Sequence, residues 1–150
     1  MALKARIKDE MKAALLSGDR FVGEALRNLT AAILDEEVKL GKRDEGLSDE
    51  EIEKVVAREV KKRNESAKIY RDNNRPDLAE PEEREIEILQ AYLPKQLDET
   101  ELAAIIEAKI AELSVTGLQA MGQVIGAVKK QVGNAADGAA IARIVKQKLD

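Results

Sequence analysis

The sequence contains no cysteine, no histidine and no tryptophan, and its aromatic residues are one Phe and two Tyr. Each absence removes chemistry. Without cysteine there is no disulfide framework, no thiolate nucleophile and no thiolate ligand. Without histidine there is no imidazole base and no imidazole metal site, so a histidine-dependent triad and a typical zinc centre are both excluded. A carboxylate-only magnesium site would survive these losses, but no segment concentrates acids into one. Neither a glycine-rich phosphate loop nor a dinucleotide fingerprint occurs. No metal, no cofactor and no catalytic residue is expected. No apolar run is long enough to span a bilayer. The opening MALKARIKDEMK is too broken by charge for a secretory signal, so the cytosol is the expected location.

What is present suits helices. The 150 residues are 44% hydrophobic, and the apolar ones are overwhelmingly Ala, Leu, Ile and Val. They are set among 36% charged residues, a mixture that makes amphipathic helices with solvated outer faces. Net charge is −4. Acids and bases balance in residues 95–150, so the whole excess lies in 1–94. The molecule as a whole does not attract nucleic acid, and any RNA contact must come from a local patch.

Periodicity predicts an all-α protein, with no segment alternating at period two for long enough to form a strand. Leu3, Ile7, Met11 and Leu15 step by four to Ser17-Gly18. Asp19 caps a second helix with Val22, Leu26, Leu29, Ile33 and Leu40 inward. Ser48-Asp49-Glu50-Glu51 has the form of a capping box. It opens a third helix with Ile52, Val55, Val56, Val60, Ala67 and Tyr70 on one face, broken near Asn73 ahead of Pro76. A fourth helix starts at Asp77 or Glu80, with Pro81 in its first turn, and carries Ile86, Leu89 and Leu93. Pro94 ends it. The expected organisation is an N-terminal domain of about four helices, 1–94, and a C-terminal three-helix domain, 95–150. In the latter a second capping box at Asp98–Glu101 leads to Leu102, Ile105, Ile106, Ile110 and Leu113. Leu118, Met121, Ile125, Val128 and Val132 line the next helix, and Asp137 caps the last, with Ile141, Ile144, Val145 and Leu149 inward.

The junction Ala91-Tyr92-Leu93-Pro94-Lys95-Gln96-Leu97, the segment Met121-Gly122-Gln123-Val124-Ile125-Gly126 and the turn Ala136-Asp137-Gly138 together resemble the GatB/YqeY family. Leu47–Glu51, Lys61-Lys62-Arg63 and Arg75-Pro76-Asp77-Leu78 fit the same pattern. The resemblance spans essentially the whole chain. It implies that the C-terminal trio is similar to the tail of the B subunit of the tRNA-dependent amidotransferase, which is implicated in gripping tRNA. That enzyme amidates Glu or Asp mischarged onto tRNA, and its amidase and kinase-like chemistry lies in parts this chain lacks. One departure stands out. Where the family's turn carries a glycine, a basic residue and, after the aspartate and glycine, a lysine, this chain has Asn134, Ala135 and Ala139, so two positive charges are missing from Asn134–Ala139.

Two sets of residues are candidates for RNA or partner contact. Gly122 and Gly126, four apart, would let either a phosphate backbone or a neighbouring helix come close, and helix packing is the first reading. Lys129 and Lys130 follow on the same helix, where cations also complement the C-terminal dipole. On the third helix Lys54, Arg58, Lys61, Lys68 and Arg75 fall in one narrow sector, interrupted by Glu51, Glu65 and Asp72. A solvated, ion-paired face is the first reading there, and an RNA or acidic-partner surface the second. Glu59 and Arg63 lie inside the apolar sector and read as a partly buried ion pair. Glu36-Glu37 and Glu82-Glu83 read as helix surface.

Three functions follow. The first is a non-catalytic tRNA-binding accessory module. The second is a protein-interaction adaptor docking on a translation-related enzyme. The third is a component of a glutamine-dependent carbon–nitrogen ligase, a label the family resemblance alone supplies.

Overall fold

The structure, a computed structural model, describes residues 2–150. Among them are seven α-helices and no strand: α1 Ala2–Ser17, α2 Arg20–Lys39, α3 Asp49–Asp72, α4 Pro76–Gln90, α5 Glu99–Leu113, α6 Met121–Val132 and α7 Gly138–Leu149. Single 3-10 turns, Leu118–Ala120 and Gly133–Ala135, flank α6. The chain divides into two compact units, Met1–Leu93 and Pro94–Asp150.

The first unit holds α1 to α4. Its core is Ile7 from α1, Leu26, Leu29 and Ile33 from α2, Leu47 from the loop, Ile52, Val55, Val56 and Val60 from α3, and Ile86 and Leu89 from α4, with Tyr92 just beyond. Each fully buried Leu or Ile of this set contributes about 1.5–3 kcal/mol of transfer energy. Local signals agree with that packing. Asp19 accepts from the Val22 amide, and Ser48 and Glu51 complete both halves of the capping box. Gly23 is buried where α1 crosses α2: a Cβ there would meet Leu15 Cδ2 at 2.5 Å.

Tyr92 ties the end of this unit back to its beginning. Its hydroxyl donates to Glu10 Oε2 at 2.6 Å, Arg6 holds the other oxygen of Glu10 at 2.8 Å, and the Arg6 guanidinium lies 4.8 Å from the Tyr92 ring centroid. Burial and the Glu10 hydrogen bond push the Tyr92 hydroxyl well above its ordinary range. Hydrogen bonds from Tyr92 and Arg6 hold Glu10 low.

The second unit is a three-helix core of Leu102, Ile106, Ala120, Val124, Val128, Ile141, Ile144, Val145 and Leu149. Arg143 of α7 and Glu99 of α5 pair across it, as do Lys148 and Glu107 at 2.6 Å.

Several expectations shift. Leu15 and Leu40 are exposed, because each sits at a helix end where the stripe has drifted off the core. Leu118 is exposed within a 3-10 turn, so α6 rotates to bury Val124, with Met121 and Ile125 only half-buried at its edges. Helix α4 starts at Pro76, so Pro81 lies beyond its first turn. Asp98 caps α5 by accepting from the Glu101 amide at 2.7 Å, and Asp137 precedes α7 without a side-chain cap bond.

Candidate functional site

In the second unit the face of α6 turned away from the core carries Gly122, Gly126, Lys129 and Lys130, all exposed. At about 100° per residue the two glycines and Lys129 fall in a sector narrower than a quarter turn, with Lys130 at its edge. The expectation that the glycines seat a neighbouring helix is corrected here. A Cβ at either position would meet nothing within 4 Å. They leave a strip of helix backbone open to whatever approaches from solvent. The strip leads to Lys129 and Lys130, which have no ion pair among the described residues. The Lys129 ammonium reaches over Gly138, where an added Cβ would lie 3.4 Å from Nζ. Gly138 opens α7, whose first turn lacks a side-chain cap. A cation thus stands beside the positive end of a helix dipole, where the carboxylate of the N-cap residue Asp137 is the anion of the chain itself.

The turn at the end of this face is held by the junction motif. Gln96 Nε2 donates to the carbonyls of Pro94 and Asn134, each at 2.9 Å, and the Leu97 amide donates to the Ala135 carbonyl at 2.8 Å. Proline, glutamine and leucine of the junction therefore fix the position of the Gly133–Ala135 turn. The motif was visible in the sequence; its partner carbonyls, nearly forty residues away, were not.

The α3 stripe is divided by its neighbours. Arg58 pairs with Glu36 of α2 at 3.0 Å, and Arg75 with Asp77 at 3.1 Å. Lys54, Lys61 and Lys68 are exposed and unpaired among the described residues. The five residues do not act as one basic ridge.

Glu59 and Arg63 form the half-buried pair expected of them, 14% and 12% exposed for Arg63 and Glu59, with Nη1 to Oε1 at 3.1 Å. The structure adds a third member. Glu85 of α4 reaches Arg63 Nε at 2.5 Å, so the guanidinium bridges two helices. Burial works against the charge on Arg63, and the hydrogen bonds it donates to Glu85 and then Glu59 more than offset it. Among the described residues no three acidic side chains converge to hold a metal ion, and no helix is long and apolar enough to cross a membrane.

Glu37 is the residue sequence reading placed wrongly. It is 2% exposed, not helix surface. Its Oε2 accepts from Lys4 Nζ at 2.7 Å and from the Leu47 amide at 3.2 Å, while its own carbonyl accepts from the Lys42 amide at 2.8 Å. Burial tends to raise this carboxyl, but the bonds from Lys4 and Leu47, with the charges of Lys4 and Lys8, hold it below the usual carboxylate range. Glu36 is half-buried in its pair with Arg58.

A family model described as Yqey-like protein matches residues 4–149. The chain belongs to this family. Among curated relatives, the protein named "Altered inheritance of mitochondria protein 41, mitochondrial" of Eremothecium gossypii is 33% identical over 115 residues, 75% of this chain and 61% of that protein. Its namesake in Clavispora lusitaniae is 32% identical over 101 residues, covering 65% of this chain and 57% of the relative. That of Lachancea thermotolerans is 30% identical over 109 residues, covering 73% and 56%. The chain thus spans about three-fifths of the length of these relatives. In this Yqey-like chain the α6 face and its flanking turn are the candidate site, where open backbone, unpaired cations and a motif-held loop meet.

Proposed function

We propose that this Yqey-like protein is a small accessory protein that grips the sugar–phosphate backbone of tRNA with the outer face of α6. The observation that carries the reading is the open strip at Gly122 and Gly126 ending in unpaired Lys129 and Lys130. Phosphate oxygens can approach helix backbone only where side chains are missing, and the lysines supply counter-charge at the end of that approach. Lys129 over the uncapped start of α7 supports an anion there. With no aromatic side chain on this face, contact is with backbone and shape, not with base identity. Lys54, Lys61 and Lys68 of α3 offer a second polyanion surface.

Fluorescence anisotropy of labelled tRNA, titrated at several salt concentrations, tests the reading. Affinity should fall linearly in log–log form with salt, and Lys129→Glu with Lys130→Glu should reduce the slope by about 2. Binding indifferent to salt and to both reversals would remove α6 as the contact. Lys61→Glu with Lys68→Glu then reports whether α3 carries it instead.

The adaptor reading, docking on a translation-related enzyme, draws support from a different fact. Glu36 and Asp77 neutralise two of the five candidate cations, Arg58 on α3 and Arg75 in the turn before α4, and the chain is net acidic. Pull-down with RNase treatment separates the two: a partner retained without RNA favours the adaptor. A cytosolic location belongs to this proposal, and cell fractionation decides it.

A further inference from the structure

Helix α2 has a second face that the first unit does not use. Glu24, Arg27, Asn28, Ala31, Leu34, Asp35, Val38 and Lys39 all point outward and are exposed, Leu34 at 43% and Val38 at 59%. Ala31, Leu34 and Val38 recur at the three-and-four spacing of a helix seam. Such a stripe on an outer face has no role in its own core. The four charged residues around it have no ion pair among the described residues, although Arg58 and Glu36 nearby are paired. Between Ala31, Asp35 and Lys39 on one side and Arg58 and Lys62 of α3 on the other lies a groove of about 390 Å³.

The order of charge along this face reads negative at Glu24, positive at Arg27, neutral at Ala31, negative at Asp35 and positive at Lys39. Reversed about Ala31, Glu24 meets Lys39, and Arg27 comes level with Asp35. We infer that this face of α2 is a self-association surface, on which a second copy of the chain lays its own α2 antiparallel about a two-fold axis through Ala31.

The axis preserves flank as well as order, which makes the match specific. On the flank towards α3, Glu24 faces the second copy's Lys39, and Asn28 faces its Asp35, each twice by symmetry. On the other flank the methylenes of Arg27 lie over Leu34 and Val38 of the second copy, with its guanidinium within reach of the second Asp35. Ala31 at the crossing keeps the two backbones close, as small residues at helix crossings do. An isologous contact of this kind closes on itself and yields a dimer, not a chain. The apolar area is small, so the dimer belongs to the transient class and forms with rising concentration.

Sedimentation equilibrium of the full chain, from about 10 μM to about 1 mM, the range where transient contacts register, gives the first reading. A dimer that grows with concentration and weakens with salt is expected; a monomer throughout overturns the inference. Glu24→Lys and Lys39→Glu each set like charges opposite one another twice, so each alone should weaken the dimer about tenfold. Mixed in equal amounts, the two single variants should associate again, because every facing pair is then complementary. The double variant should regain wild-type affinity for itself. Association that ignores these reversals, or is not rescued by mixing, lies on another face and overturns the inference. Because the chain has no cysteine, Ala31→Cys gives an independent check. Oxidation should yield a covalent dimer well in excess of that from Lys68→Cys, and equal yields would show that Ala31 is not at an axis. All substituted positions are exposed, and circular dichroism confirms that each variant folds.

Discussion

Lys4 and Glu37 lie thirty-three positions apart and meet at 2.7 Å, the Glu37 side chain 2% exposed and that of Lys4 a quarter exposed. The pair fastens the start of α1 to the end of α2, and the Leu47 amide on the same oxygen adds the loop before α3. Replacing Glu37 by alanine leaves an ammonium and an amide facing the space it filled. Breaking a buried pair costs about 3–5 kcal/mol, and the partial exposure of Lys4 places this one near the lower end. Urea melts of Glu37→Ala beside Glu45→Ala, an exposed loop acid, should show a clear midpoint loss for the first only.

Arg63 should matter more than either of its acids. Glu59→Ala leaves Arg63 held by Glu85, so the loss should be about 1–2 kcal/mol, as for a charged hydrogen bond removed from a network that survives. Arg63→Ala strands Glu85, leaves Glu59 with only the exposed Lys62 at 3.6 Å, and should cost about 3 kcal/mol. Glu65→Ala, on the exposed side of α3, should lie within about 0.5 kcal/mol of wild type. Equal midpoints for Glu59→Ala and Glu65→Ala would show that the network carries no stability.

Stability should be flat across neutral pH and fall at both extremes. With no histidine, no side chain of ordinary pKa titrates near neutrality. Glu51 is held at about 2, by Lys42 first and then by the Ser48 amide, and Glu10 and Glu37 are also held low. A depressed carboxylate contributes fully above its unfolded value, about 4.3, and that contribution is lost as pH falls towards the folded one. Tyr92 acts in the opposite sense. Its raised hydroxyl contributes fully below the ordinary tyrosine value of about 10 and loses that contribution as pH climbs above it. Thermal midpoints from pH 2 to pH 11, compared with Tyr92→Phe, should show the alkaline fall largely removed in the variant, whose phenyl ring has nothing to ionise.

Gly122→Ala with Gly126→Ala should separate folding from binding. Both sites are open and helical, so each alanine should stabilise α6 by about 0.5–1 kcal/mol through its higher helix propensity. If tRNA backbone approaches at this strip, the same methyls should weaken binding several-fold. A more stable protein with unchanged affinity would place the contact elsewhere.

Much of the architecture was written locally. The turn at Ser17-Gly18, the caps at Asp19, Ser48 and Asp98, and the proline after Leu93 each act on their own neighbours, so element type and approximate limits could be read from the chain. The inward positions of α3 and α7 were legible for the same reason, since one period holds along the helix. Leu15, Leu40 and Leu118 were misplaced where that period meets a helix end. The site was half legible. Gly122, Gly126, Lys129 and Lys130 could be named, but whether a neighbour covered the glycines depended on which face α6 turned to its own core.

The amino-acid sequence by itself determined an all-helical chain in two units, the absence of thiol and imidazole chemistry, and a family whose motifs run along its whole length. These follow from composition and from interactions within a few residues. The tertiary structure alone decided that Glu37 is buried on Lys4, that Glu85 completes the Arg63 bridge, that Glu36 silences Arg58, and that the α6 glycines stand open. Each of those outcomes depends on residues tens of positions apart being brought to within hydrogen-bonding distance, or kept from it, and helical periodicity carries no information about distance between helices.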